Sequence, residues 1–206
     1  MMAISERLQA FLQAAKVPYT VGKHPVAYTA QEIAAAQHVS GRQLAKSVLV
    51  KTDRGPVLAV LPAASLIHFT RLKTALKTKR VSIAKEADVK AHFPDVEAGA
   101  MSPFGNLYQI PVIVDRMLER SDTMVFNAGS HTETISMRAR DFITLVKPAV
   151  AEFGQPIGGP PRKQKRRAPS SRRPAKSRRT AAARSRATSR PRTRPAATRR
   201  QRRSSS

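Results

Sequence analysis

A single lysine and one small, stiff loop are the parts of this chain best suited to chemistry. Lys46 opens the run KSVLV, where strand alternation places it on one face with Val48 and Val50 while Ser47, Leu49 and Lys51 take the other. Both faces are mainly apolar, which marks a central strand. A lysine at the start of such a strand either snorkels to water or holds its ammonium in a cleft. Downstream, PDVEAGAMSPFGNLY (94–108) carries Gly99 and Pro103 and almost no charge after Glu97. Glycine admits close approaches that a Cβ would block, and proline fixes φ without offering an N–H. Such a loop can aim the N–H groups of Ala100, Met101 and Ser102 at a ligand oxygen, as an oxyanion hole or anion nest does. It can equally be a tight helix-to-strand connection.

Other chemistries lack their parts. The chain has no cysteine, so disulfides, thiolate metal sites and a cysteine nucleophile are excluded. No phosphate loop or dinucleotide fingerprint occurs. His24, His38, His68, His92 and His131 show no metal-ligand spacing. Ser130 and His131 are adjacent, and neighbours on a strand point to opposite faces, so they do not read as nucleophile and base. What remains is chemistry without metal or cofactor.

The elements that would position these groups follow from pattern. Residues 4–16 have helical apolar spacing, and YTVGK reads as a strand. Thr29 and Glu32 form a capping box ahead of a helix that ends near Gly41. AKSVLVKTDRGPVLAVLPA is a hairpin signal around Asp53-Arg54-Gly55. FTRLKTALKTK reads as a helix with a basic outer face, RVSIA as a strand and EADVKAHF as a short helix closed by Pro94. YQIPVIVD, TMVFNA and ETISMR read as strands, and ARDFITLVK as a closing helix. Interleaved elements without regular βαβ spacing predict a mixed α/β (α+β-like) domain, a largely antiparallel sheet flanked by helices.

Charge divides the chain. Net charge is +25, yet residues 1–161 hold 19 Lys and Arg against 13 acids (+6), while 162–206 hold 19 and no acid (+19). From Gly158 onward no large apolar residue occurs, so residues 157–206 are expected to form a disordered basic tail behind a folded domain at 1–156. No apolar run approaches membrane-spanning length, and the N-terminus is amphipathic rather than signal-like, so a cytoplasmic protein with no membrane partner is expected.

HPVAYTAQEIAAAQHVSGRQLAKSVLV, GAMSPFGNLY and VFNAGSHTETISM together resemble the YbaK / prolyl-tRNA synthetase-associated domain family, the free-standing aminoacyl-tRNA editing proteins, over about residues 4–150. The resemblance implies that the chain hydrolyses the ester of mischarged tRNA, typically tRNA for proline, with aminoacyl-tRNA and a synthetase as partners. It implies that Lys46 is the family's essential lysine and that Gly99 through Pro103 is its Gly-x-x-x-Pro loop. Ala100, Met101 and Ser102 would then contact the substrate, and so would Gly129, Ser130 and His131 of the AGSHT match. His131 would be either a wall of the acyl pocket or a satisfied core histidine. A neutral loop suits an aminoacyl ester, and a pocket walled by Met101 and Pro103 would select mainly by size.

The tail departs from the family's compact form. Arg166, Arg167, Arg172, Arg173, Arg178 and Arg179 sit in Arg-rich clusters of the kind that bind nucleic acid through phosphates, without sequence preference. Such a tail fits an editing enzyme with an RNA tether. It also fits a nucleic-acid-binding protein built on an inactive editing scaffold, or a non-catalytic module that binds aminoacyl-tRNA or a synthetase.

Overall fold

Two apolar runs around Asp53-Arg54-Gly55 close into the hairpin on which the rest is built: β2 (Ala45–Thr52) pairs antiparallel with β3 (Gly55–Pro62), Lys46 opposite Leu61 and Thr52 opposite Gly55. The coordinates are those of a computed structural model and describe residues 5–37 and 39–157. The basic tail beyond Ile157, with its six named arginines, lies outside the described residues, as does His38.

Ahead of the hairpin come α1 (Glu6–Ala15), β1 (Tyr19–Lys23) and α2 (Ala30–Ala36). After it come β4 (Ser65–Ile67), α3 (Phe69–Leu76), β5 (Val81–Ile83) and α4 (Glu86–His92). A 3₁₀ turn (Gly105–Tyr108) leads to β6 (Val112–Asp115), α5 (Arg116–Glu119), β7 (Thr123–Asn127) and β8 (Glu133–Arg138). The described chain finishes with α6 (Ala139–Val146), β9 (Ala149–Ala151) and β10 (Gly154–Pro156).

Five strands form the main sheet in the order β5-β2-β3-β6-β9, and a second sheet runs β1-β8-β7. Most pairings are antiparallel, but β3–β6 and β6–β9 are parallel, so the main sheet is mixed. Alternation along β2 and β3 sorts their side chains onto two cores. Leu49, Leu58 and Val60 face Leu8 and Leu12 of α1, Phe126, Ile135 and Phe142. Val50, Ala59 and Leu61 face Leu72 of α3 and Phe153. Burial on both faces makes β2 central, as its apolar pattern requires.

Local chemistry sets the boundaries. Thr29 Oγ1 accepts the Glu32 N–H (3.2 Å) and the Glu32 carboxylate accepts the Thr29 N–H (3.0 Å), the expected capping box. The helix it starts stops at Ala36, short of Gly41. The strand read from YQIPVIVD is confined to Val112–Asp115, because Gly105–Tyr108 coil and Gln109 turns left-handed (φ 57°). Gly105 is obligatory there, since a Cβ would stand 2.8 Å from the Ile110 carbonyl oxygen. β4, α5, β9 and β10, three or four residues each, carry too little periodicity to be read from sequence.

Asp115 locks the C-terminal strands. Fully buried, it caps α5 through the Met117 N–H (2.9 Å) and accepts the N–H groups of Phe153 (2.9 Å) and Gly154 (2.6 Å). Asp115→Ala strands three backbone donors, two of them buried, and should cost at least about 3 kcal/mol in denaturant unfolding. A loss under about 1 kcal/mol would contradict this role.

Candidate functional site

The site begins where β2 loses a neighbour. β5 pairs only with Val50–Thr52, so that edge of β2 is open from Ala45 to Val48. On the same side, Leu44 bridges Val125 in parallel and the Val125 N–H reaches the Gln43 carbonyl (2.9 Å). Beyond that bridge β2 and β7 have no further pairing, and a cleft of about 220 Å³ opens between them. Its lining includes Lys46, Ser47, Gly99, Met101, Tyr28 and Asn127.

Lys46 and the Gly99 loop, 53 residues apart in sequence, therefore meet. The Lys46 ammonium is half-buried and donates one long bond, 3.4 Å, to the Ala63 carbonyl. Burial holds it below lysine's ordinary range. The cleft thus holds the lysine, one of the two alternatives its strand position allowed.

The loop is braced from behind. The Glu97 N–H bonds the Gly129 carbonyl (3.0 Å), and the Glu97 carboxylate accepts the His131 N–H (2.8 Å). His131 Nε2 lies 2.8 Å from the Ala98 carbonyl oxygen and Nδ1 lies 3.2 Å from that of Ala27. A neutral ring donates to one of these at a time. Gly99 has φ +87°, the left-handed region, and a Cβ there would meet His131 Cε1 at 3.5 Å. At the loop's entry, Asp95 accepts the hydroxyls of Ser5 (2.6 Å) and Tyr108 (3.0 Å).

Of the residues singled out in the sequence, Lys46, Gly99 and Met101 line the cleft. Ala100, Ser102 and Pro103 are buried, and their side chains are not part of its lining. The Ala100 N–H is not free, because it bonds the Glu97 carbonyl (2.9 Å) and closes the turn. Among the described residues the N–H groups of Met101 and Ser102 have no partner. Gly129 (φ +108°), Ser130 and His131 lie in the β7–β8 connection rather than on a strand, and support the loop instead of lining the cleft. Ser130 Oγ contacts Thr132 Oγ1 (3.3 Å), not His131.

Sequence reasoning missed Tyr28 and Asn127. Tyr28 is 73% exposed at the mouth, its ring 4.8 Å from that of His131. An aromatic left in water just ahead of a capping box was the available signal. Asn127 ends β7 and faces the cleft only because β7 and β2 part, which sequence does not display. Among the described residues no Asp, Glu or His lines the cleft. Among the described residues no three-residue His/Cys/Asp/Glu cluster could hold a metal, and no helix is long and apolar enough to cross a membrane.

A mixed α/β scaffold with a lysine facing a Gly-x-x-x-Pro loop across a small cleft defines the class, and residues 24–145 match the aminoacyl-tRNA editing domain. The chain belongs to that family. It is 24% identical over 153 residues to the multifunctional Ser/Thr-tRNA deacylase ProXp-y of Escherichia coli, covering 72% of this chain and 91% of that protein. A proline–tRNA ligase of Streptococcus suis is 30% identical over 105 residues, 51% of this chain and 17% of the ligase. The crystal structure of a candidate trans-editing enzyme for prolyl tRNA synthetase shares the fold (TM-score 0.68, 17% identity, 75% of this chain and 99% of that one). Family and relatives support an aminoacyl-tRNA deacylase editing function.

The lowered Lys46 value carries a stability consequence. A lysine depressed on folding is a cost wherever both states are charged, and the cost lifts as pH rises through the folded value toward 10.5. Lys46→Met should therefore match or slightly exceed the wild-type melting temperature at neutral pH, the gap closing as pH approaches that value. A loss of several degrees at neutral pH would mean the ammonium is favourably paired.

Proposed function

We propose that this protein deacylates mischarged tRNA in trans, with tRNA for proline as the principal substrate, and that Lys46 and the Gly99–Pro103 loop form the active site. The observation that carries the reading is the meeting of that lysine with that loop at an open strand edge, within a family that edits aminoacyl-tRNA.

The 3.4 Å Lys46–Ala63 bond is weak enough for a better acceptor to replace it. Lys46 binds a phosphate or ribose oxygen of the terminal adenosine and orients the ester. The free N–H groups of Met101 and Ser102 stabilise the tetrahedral oxyanion, a contribution of about 3 kcal/mol for a well-placed donor. Among the described residues the lining offers no carboxylate or imidazole, and the attacking water is activated by the substrate's own vicinal hydroxyl. Met101 limits the acyl group by size.

The neighbouring ligase relative and the synthetase in the structural neighbour's description make a synthetase a natural partner. Ile157, whose N–H bonds the Ala64 carbonyl (2.8 Å) one residue past the Lys46 acceptor Ala63, is the last described residue, and the Arg-rich segment follows it in sequence. Its arginines act as a tether for RNA, raising the local concentration of substrate.

The test is ester loss from tRNA for proline charged separately with alanine, serine, threonine, cysteine and proline. The expected result is selective loss of one or more small mischarged residues, reduced at least about 100-fold in Lys46→Ala. Loss of no species above spontaneous hydrolysis, or full activity of Lys46→Ala, would overturn the reading. Deleting residues 158–206 separates enzyme from scaffold: an enzyme keeps its turnover and loses affinity.

A further inference from the structure

From Arg54 to Lys85 the chain carries seven Lys and Arg and no acid, a bias that the fold converts into a surface. α3 packs Leu72 into the core beneath the sheet, on the face that also bears Val48 and Val50, and so by alternation Lys46. The chain then runs along β2 away from the cleft. Lys77 and Lys79 leave α3, and Arg80 precedes Val81, which pairs with Thr52. Arg54 occupies the adjoining hairpin turn, two residues beyond Thr52.

Arg54, Lys77, Lys79 and Arg80 are all exposed, and among the described residues none makes an ion pair. Two basic neighbours differ: Lys51 is held by Asp88 (3.0 Å) and Arg71 by Glu152 (3.3 Å), while Lys73 on α3 and Lys85 at the start of α4, also without an ion pair among the described residues, lie outside this cluster in sequence. The acids near the cluster are Asp53 in the same turn, Glu86 at the start of α4 and the engaged Asp88. Four cations are thus left open at one end of β2, with the candidate lysine at the other. Lys46 and Thr52 are six strand positions apart, on the order of 20 Å.

That spacing fits a nucleic-acid strand that starts in the cleft. A stacked strand rises about 3.4 Å per nucleotide, so a span of this size is about six nucleotides. It carries the backbone past the unpaired 3′ end and into the acceptor stem. We propose that Arg54, Lys77, Lys79 and Arg80 form a docking surface for the acceptor-stem phosphates of the tRNA whose aminoacyl end occupies the cleft. The proposal rests on the deacylase reading above and adds to it a second contact on the folded domain, separate from the Arg-rich segment after Ile157. Phosphate contacts position without reading sequence, so this surface contributes to affinity and leaves the choice of amino acid to the cleft.

The experiment uses the full chain and the combined variant Arg54→Gln, Lys79→Gln, Arg80→Gln, with Lys77 retained because it caps α3 at φ 52°. Deacylation is measured on mischarged tRNA and on the same aminoacyl group carried by a CCA trinucleotide, across a salt series. The expected result on tRNA is a KM raised about tenfold, kcat unchanged, and a log–log salt slope shallower by about 2. On the trinucleotide, too short to reach the cluster, variant and wild type should coincide. An unchanged salt slope on tRNA overturns the proposal and makes an acidic protein surface the better fit. Equal losses on both substrates also overturn it, since the effect would then act through the cleft. Wild type inactive on both substrates would instead defeat the deacylase reading itself.

Discussion

The brace between residues 97–100 and 127–131 is the constraint on which the site depends. A loop of small residues gains little from burial and would sample many conformations alone. Here Glu97 is held at both backbone and side chain by Gly129 and His131, and the Ala98 carbonyl meets the His131 ring. The Ala100 N–H turns back onto the Glu97 carbonyl. Those bonds consume the polar groups on the rear of the loop and leave two consecutive N–H groups, of Met101 and Ser102, without a partner. The brace comes from the β7–β8 connection rather than from the loop's own sequence, and the proposed oxyanion donors follow directly on the residues it holds.

The second half of the site arises from a failure of pairing. β2 is buried on both faces, yet β5 covers only its far end and β7 meets the chain at a single bridge just before it, at Leu44. The uncovered stretch holds Lys46, whose ammonium pays for its partial burial without gaining an acid partner among the described residues. A desolvated cation with one weak acceptor is poised to bind an anion, while the same arrangement does nothing for stability. Core and cleft meet along one strand: Leu49 and Val50 are sealed, while Lys46 and Ser47 stand at the opening.

Much of this was legible in the sequence. Alternation in KSVLV announced a central strand, DRG announced the hairpin, and Thr29 with Glu32 announced a capped helix. Those signals are local, and local chemistry decided them. Lys46 and the Gly99 loop could each be read as unusual, but their meeting depends on where strands stop pairing, a long-range fact. The free use of the Ala100 N–H was misjudged because a turn closed by Glu97 leaves no mark in composition. His131 illustrates the same limit. The AGSHT resemblance left it either a pocket wall or a satisfied core histidine, and only the fold shows its ring nitrogens against the Ala27 and Ala98 carbonyl oxygens.

The central claim is that the Lys46 cleft, with the Met101 and Ser102 amides, receives an aminoacyl ester. It is tested most directly by titrating the protein with a non-hydrolysable 3′-aminoacyl-amide of adenosine while following backbone amide and lysine Nζ resonances by NMR. The account predicts saturable shifts at Met101, Ser102 and Lys46, with the Ala100 amide, already bonded to Glu97, least affected of the loop. Shifts confined to other parts of the surface, or saturation that leaves Met101, Ser102 and Lys46 unmoved, would contradict it.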